Sequence, residues 1–116
     1  MSLTTPSSPV VKELYHLFGF PISHSASPAL HNYLFSRLGL HDRTYKLTPM
    51  MCVGKEMLDL CASERFGGAS VTMPLKVSVA GILDRVTDEA RAIGAVNTLV
   101  QECDEKNEKK LIGTNT

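Results

Sequence analysis

Three short polar runs in this chain carry the side chains able to do chemistry. The first, Ser23-His24-Ser25-Ala26-Ser27-Pro28, groups small hydroxyls just before a helix-like pattern. The start of a helix offers unpaired N–H groups and the positive end of its dipole, so Ser25 and Ser27 are placed to hydrogen-bond a small carboxylate there. A plainer reading stands beside this one, in which Ser27 caps the helix and Ser25 fills the loop. The second run, Ser70-Val71-Thr72-Met73-Pro74-Leu75-Lys76, ends in a lysine set in the first turn of an expected helix. An ammonium is disfavoured at that end of a helix, which favours the neutral amine, the form able to accept a proton. An ordinary solvated lysine is the alternative. The third, Ile93-Gly94-Ala95-Val96-Asn97-Thr98-Leu99, places one amide where an apolar strand begins, and Gly113-Thr114-Asn115-Thr116 closes the chain with three polar residues. Asn97 and these last residues are equally suited to turns.

The elements that must position these runs can be read from the apolar spacing. Leu14-Tyr15-His16-Leu17-Phe18-Gly19-Phe20 is an apolar, aromatic run of strand length, ended by Gly19 and Pro21. Leu30, Tyr33, Leu34 and Leu38 recur at helical spacing between Pro28 and Gly39, predicting a helix over 28–38. Residues 43–48 alternate as a strand, and 55–61 form a second helix through Met57, Leu58 and Leu60. Gly67-Gly68 opens a third strand at 69–73, which Pro74 stops, and Val77, Ala80, Ile82 and Leu83 suggest a third helix. A short helix over 88–93, a strand over 95–100, a polar hairpin through 104–110 and a last strand from Leu111 follow. The alternation predicts an α/β fold, a mostly parallel sheet flanked by helices with an antiparallel final hairpin. Residues 1–12, with their Ser, Thr and Pro, are expected to be a disordered lead to a single domain at 13–116.

Composition narrows the partners. Lys plus Arg and Asp plus Glu both count 12, so no basic excess is available to neutralise phosphates and duplex nucleic acid is excluded as a partner. No apolar run reaches the roughly 18 to 20 residues that cross a bilayer, and the start lacks a signal-peptide pattern, so neither a membrane nor export is expected. Cys52, Cys61 and Cys103 form no C-x-x-C pair, and free thiols in a reducing cytoplasm are the simplest reading. No two of the eight glycines are separated by one residue. With neither a G-x-G-x-x-G turn nor a G-x-x-x-x-G-K-[ST] loop, neither a dinucleotide nor a triphosphate has its usual backbone cradle, so no cofactor-binding residues are expected here. His16, His24, His31 and His41 lack metal-ligand spacing and are read as surface or loop-packing residues.

From Phe18 to Thr116 the string resembles the shikimate/quinate dehydrogenase family, and specifically its amino-terminal substrate-binding domain. Four ordered motifs carry the likeness: S-x-S-P at Ser25 to Pro28, [N/S]-V-T-x-P-x-K at Ser70 to Lys76, G-A-V-N-T at Gly94 to Thr98, and G-x-N-T at Gly113 to Thr116. The wording around Phe66-Gly67-Gly68-Ala69-Ser70 is most similar to fungal-type members, and Ser70 stands where many bacterial members have Asn. The resemblance implies that Lys76 is the catalytic proton acceptor or holds a proton relay, and that Asn97 hydrogen-bonds ring hydroxyls. It further implies that Ser25 and Ser27 grip the ring carboxylate while Thr72 and Thr116 complete a polar wall. In the family an aspartate after G-x-N-T pairs with the lysine, and a carboxy-terminal Rossmann domain binds NADP or NAD; neither falls within this chain, which is therefore expected to be part of a larger enzyme and inactive alone. The implied reaction interconverts 3-dehydroshikimate and shikimate, or the quinate pair. A competing expectation is a regulatory module that senses quinate or shikimate without turnover.

Overall fold

The computed structural model describes residues 11–116, so most of the expected lead lies outside the described residues. Six strands form one sheet: β1 (Glu13–Gly19), β2 (Arg43–Pro49), β3 (Phe66–Val71), β4 (Arg85–Val86), β5 (Thr98–Cys103) and β6 (Lys109–Thr114). Their order across the sheet is β2-β1-β3-β5-β6-β4. β1 is parallel to both β2 and β3, and β4 is parallel to β6; β5 runs antiparallel to both its neighbours, which includes the expected final hairpin with β6. Three α-helices, α1 (Ser27–Arg37), α2 (Lys55–Ala62) and α3 (Asp88–Ile93), flank the sheet.

Strand alternation sends neighbouring side chains to opposite faces, and the two faces bury separate cores. Phe18, Phe66, Val71 and Leu99 pack with Met57 and Cys61 of α2 and with Ala90 of α3 on one side. Leu17, Tyr45 and Ile22 pack with Phe35 of α1 on the other. His16, expected at the surface or in a loop, is instead 1% exposed within β1. It is stacked on Phe18 and bonded through Nδ1 to the Thr48 hydroxyl at 2.8 Å. Burial, reinforced by the Lys46 charge, pushes its pKa down to about 4.

Several sequence expectations shift. The segment after Pro74 makes a five-residue 3₁₀ helix, Ser78–Ile82, rather than a third α-helix. Val79 is buried in it, and it ends at Leu83, whose backbone is extended. Lys76 therefore lies in the turn ahead of that helix, and the dipole argument for a neutral amine loses its premise. β3 starts three residues early because Gly67 and Gly68 lie inside it. A Cβ on Gly67 would come within 2.5 Å of the Tyr15 ring, and the β1–β3 register shifts at this point. β5 begins at Thr98, not at 95, since the C-cap of α3 at Gly94 is in the left-handed conformation and the chain needs three residues to reach the sheet.

The face of α1 is also not the expected one. Leu30, Tyr33, Leu34 and Leu38 are 45–71% exposed. The helix is held instead through Asn32, whose side chain accepts from the Tyr45 N–H at 2.8 Å and donates to the Tyr45 carbonyl at 2.9 Å, and through His31 stacked on the Tyr45 ring.

Candidate functional site

The loops carrying the polar runs all meet one end of the sheet. β1 and β3 are parallel neighbours, so their carboxyl ends lie side by side; β5 begins and β6 finishes at the same end. Open α/β sheets take ligands at this end of their parallel strands. The closeness of the first two loops depends on Gly19, at φ +155°, where a Cβ would meet the Thr72 methyl and come within 2.7 Å of the Met73 carbonyl. Hydrogen bonds from Thr72 N–H to the Phe18 carbonyl and from Phe20 N–H to the Met73 carbonyl, both 2.9 Å, lock the two strand ends together.

Ser25, Ser27, Thr72, Lys76, Asn97 and Thr116 all line one open depression of about 460 Å³ at this point. Ser70 and Thr98, which pair across β3 and β5, line it as well, as does His24. His24 and Thr98 were passed over in the sequence. Each follows or precedes a more conspicuous residue, and only the crossing of β3 and β5 brings Thr98 beside Ser70.

The serine loop differs in detail from expectation. Ser27 is the first helical residue of α1, Ala26 occupies the N-cap position, and no side chain caps the helix. The Ser25 hydroxyl accepts the Ser27 N–H at 3.1 Å, while the Ser25 N–H bonds the Ile22 carbonyl at 3.0 Å. Pro28 has no N–H to offer, so the first free donor is that of Ser27, two residues after Ser25, the separation at which a serine closes a local turn. Ser25 is thus partly committed to the backbone, and the Ser27 hydroxyl has no protein partner among the described residues.

Lys76 is half-buried, its main chain pinned by a 2.8 Å bond from the Val96 N–H to its carbonyl. Among the described residues no carboxylate lies within 4.0 Å of its amine. Asn97 is fixed more fully. Its N–H donates to the Thr114 carbonyl at 3.0 Å and its carbonyl accepts from the Val71 N–H at 2.8 Å. The wall therefore presents hydroxyls, the Asn97 amide, the Lys76 amine and the His24 imidazole, with Leu17 and Ile22 as apolar contact. This suits a small polyhydroxylated acid with one apolar ring surface.

Residues 17–99 match the family of the shikimate dehydrogenase substrate binding domain. The chain belongs to that family. Among solved relatives of this shikimate dehydrogenase substrate-binding domain, dehydroquinate dehydratase and shikimate dehydrogenase from S. pombe is 40% identical with a TM-score of 0.82, over 91% of this chain and 19% of that one. The shikimate 5-dehydrogenase from Listeria monocytogenes, solved with shikimate and NAD, is 32% identical with a TM-score of 0.75, over 96% of this chain and 37% of that one. That of Thermus thermophilus, solved with NADP(H) and shikimate, is 31% identical with a TM-score of 0.70, over 89% and 37%. The substrate-binding domain described here thus spans less than two fifths of the length of these relatives.

Proposed function

We propose that this chain is the substrate half of a shikimate dehydrogenase that interconverts 3-dehydroshikimate and shikimate with NADP(H) or NAD(H), quinate being the alternative substrate. The observation that carries the reading is the convergence of all six motif residues on one polar depression at the ends of β1 and β3. Lys76 takes the proton from the ring hydroxyl as that carbon is oxidised and returns it in the reverse direction. Asn97 hydrogen-bonds ring hydroxyls, Ser25 and Ser27 hold the ring carboxylate, and Thr72 and Thr116 complete the wall. Such a wall is needed because a ligand polar group buried without a partner costs about 1 to 3 kcal/mol.

The described residues do not fit the nicotinamide cofactor themselves. Gly19, Gly39, Gly68 and Gly94 adopt positive φ, but they stand singly at a strand end, just past a helix, in a strand and at a helix end, not in the paired turn that brings a backbone against a pyrophosphate. The cofactor is assigned to a carboxy-terminal Rossmann domain, in accord with the greater length of the relatives. Three unpaired thiols suit a reducing, cytoplasmic setting.

The test is turnover of the full-length protein that carries this chain, followed by nicotinamide absorbance with shikimate and with quinate. Lys76→Met should lower kcat by about 10²-fold or more, the scale of general acid or base catalysis. Near-normal turnover would remove Lys76 from that role. Tight shikimate or quinate binding without any turnover would establish the sensing module instead.

A further inference from the structure

We infer that Thr98 is a positioning residue for Asn97, its hydroxyl turning the Asn97 amide so that the NH₂ group is the one offered to the ligand. The inference rests on the proposed function for the identity of that ligand. With the Asn97 main chain held by Thr114 on one side and Val71 on the other, only the side-chain torsions remain to be set. The Thr116 N–H lies 3.1 Å from Asn97 Oδ1, and a backbone N–H can only donate, which assigns that atom as the oxygen. Thr98 Oγ1 donates to the same oxygen at 2.8 Å, the shortest contact of the Asn97 side chain. Nδ2 makes two longer contacts, 3.4 Å to Asn115 Oδ1 and 3.3 Å to the Thr116 carbonyl. Good N–H···O bonds lie near 2.9 to 3.0 Å, so both can be exchanged for a ligand oxygen at little loss.

The donors on Oδ1, which are the Thr98 hydroxyl, the Thr116 N–H and, at 3.5 Å, the Thr116 hydroxyl, are not equivalent. The Thr116 contacts are the longer ones, at 3.1 and 3.5 Å, whereas Thr98 bonds at 2.8 Å and is anchored in β5 opposite Ser70 of β3 and Thr114 of β6. Thr98 is therefore the firmer reference for the amide. With Oδ1 held by Thr98 and Thr116, the Asn97 side chain keeps its NH₂ group for the depression that it lines.

The experiment uses the full-length protein with Thr98→Val, which keeps the β-branched shape, Thr98→Ser, which keeps the hydroxyl, Asn97→Ala, and the double variant. Thr98→Val should raise KM for shikimate about tenfold, the scale of one hydrogen bond, and Thr98→Ser should stay within about twofold of wild type. Because Thr98 acts through Asn97, the double variant should bind no more weakly than Asn97→Ala alone; additive losses would overturn the proposal. A second readout needs no ligand. The Asn97 side-chain amide protons should give a distinct NMR pair in wild type and Thr98→Ser and move toward free-amide positions in Thr98→Val. An unchanged pair in Thr98→Val overturns the positioning role. If wild type fails to bind shikimate, the proposed function falls while the NMR comparison still decides the role of Thr98.

Discussion

Ser27→Ala is the cleanest probe of how the site reads a carboxylate. The substitution removes a hydroxyl that lines the depression and has no protein partner among the described residues, at a position already inside α1. Alanine is the best helix former, and the local turn is made by the Ser25 hydroxyl on the Ser27 N–H, a backbone group the substitution keeps. Stability should therefore change by less than about 0.5 kcal/mol, as for surface substitutions away from special features. A hydrogen bond to a charged group contributes about 1.5 to 3 kcal/mol, so affinity for shikimate should fall by about 10- to 100-fold. Ser25→Ala, by contrast, should lose affinity and also about 1 kcal/mol of stability, because it removes the hydroxyl that accepts the Ser27 N–H. Calorimetric titration of the full-length protein with shikimate and with its carboxamide separates charge recognition from simple contact. Wild type should strongly prefer the acid, and Ser27→Ala should prefer it less. Equal preference in the two proteins would refute the assignment and leave the serine loop as a helix start alone.

Three further outcomes follow from packing. His16 has its folded pKa depressed to about 4 against about 6.5 when unfolded, so the unfolded chain binds the proton first. Stability should be unaffected by this group above pH 6.5, fall by about 1.4 kcal/mol per unit below it, and level off near pH 4 after a loss of about 3 kcal/mol; urea titrations in which His16→Leu shows the same slope would contradict this. Gly113→Ala should cost about 1 to 3 kcal/mol by overpacking, since the new Cβ would meet the Leu83 side chain and lie 2.9 Å from that of Val96; an unchanged melting temperature would argue against it. Asn32→Ala should cost about 1 to 2 kcal/mol by removing both side-chain partners of the Tyr45 main chain, read as a lower urea midpoint at unchanged slope.

The sequence was most legible where local chemistry decides the structure. Thr87 accepts the Ala90 N–H and Gly94 ends α3 in the left-handed conformation, so the helix over 88–93 could be read from its ends. The polar motifs were legible as motifs, and their convergence followed once β1 and β3 were parallel neighbours. What escaped depends on contacts between distant residues. β4 is two residues long and exists through its pairing with Ile112 and Gly113, a length at which no periodicity can be detected. The apolar stripe of α1 pointed to the wrong face because an amide, Asn32, and not a leucine, fastens the helix. Ser27 looked like a cap by position, and only the path of the loop shows Ser25 in contact with the backbone.

The Asn32–Tyr45 pair has a consequence for how molecules of this protein meet one another. β2 lies at the border of the sheet, and a bordering strand offers its outward N–H and C=O groups as a template on which a strand from another molecule can add. Tyr45 is the third of the seven residues of β2, and Asn32 occupies both of its outward groups. A single side chain thus imitates the next strand for one residue and interrupts the ladder in its first half. Intermolecular sheet growth, the first step toward aggregation, would have to displace α1 before it could begin.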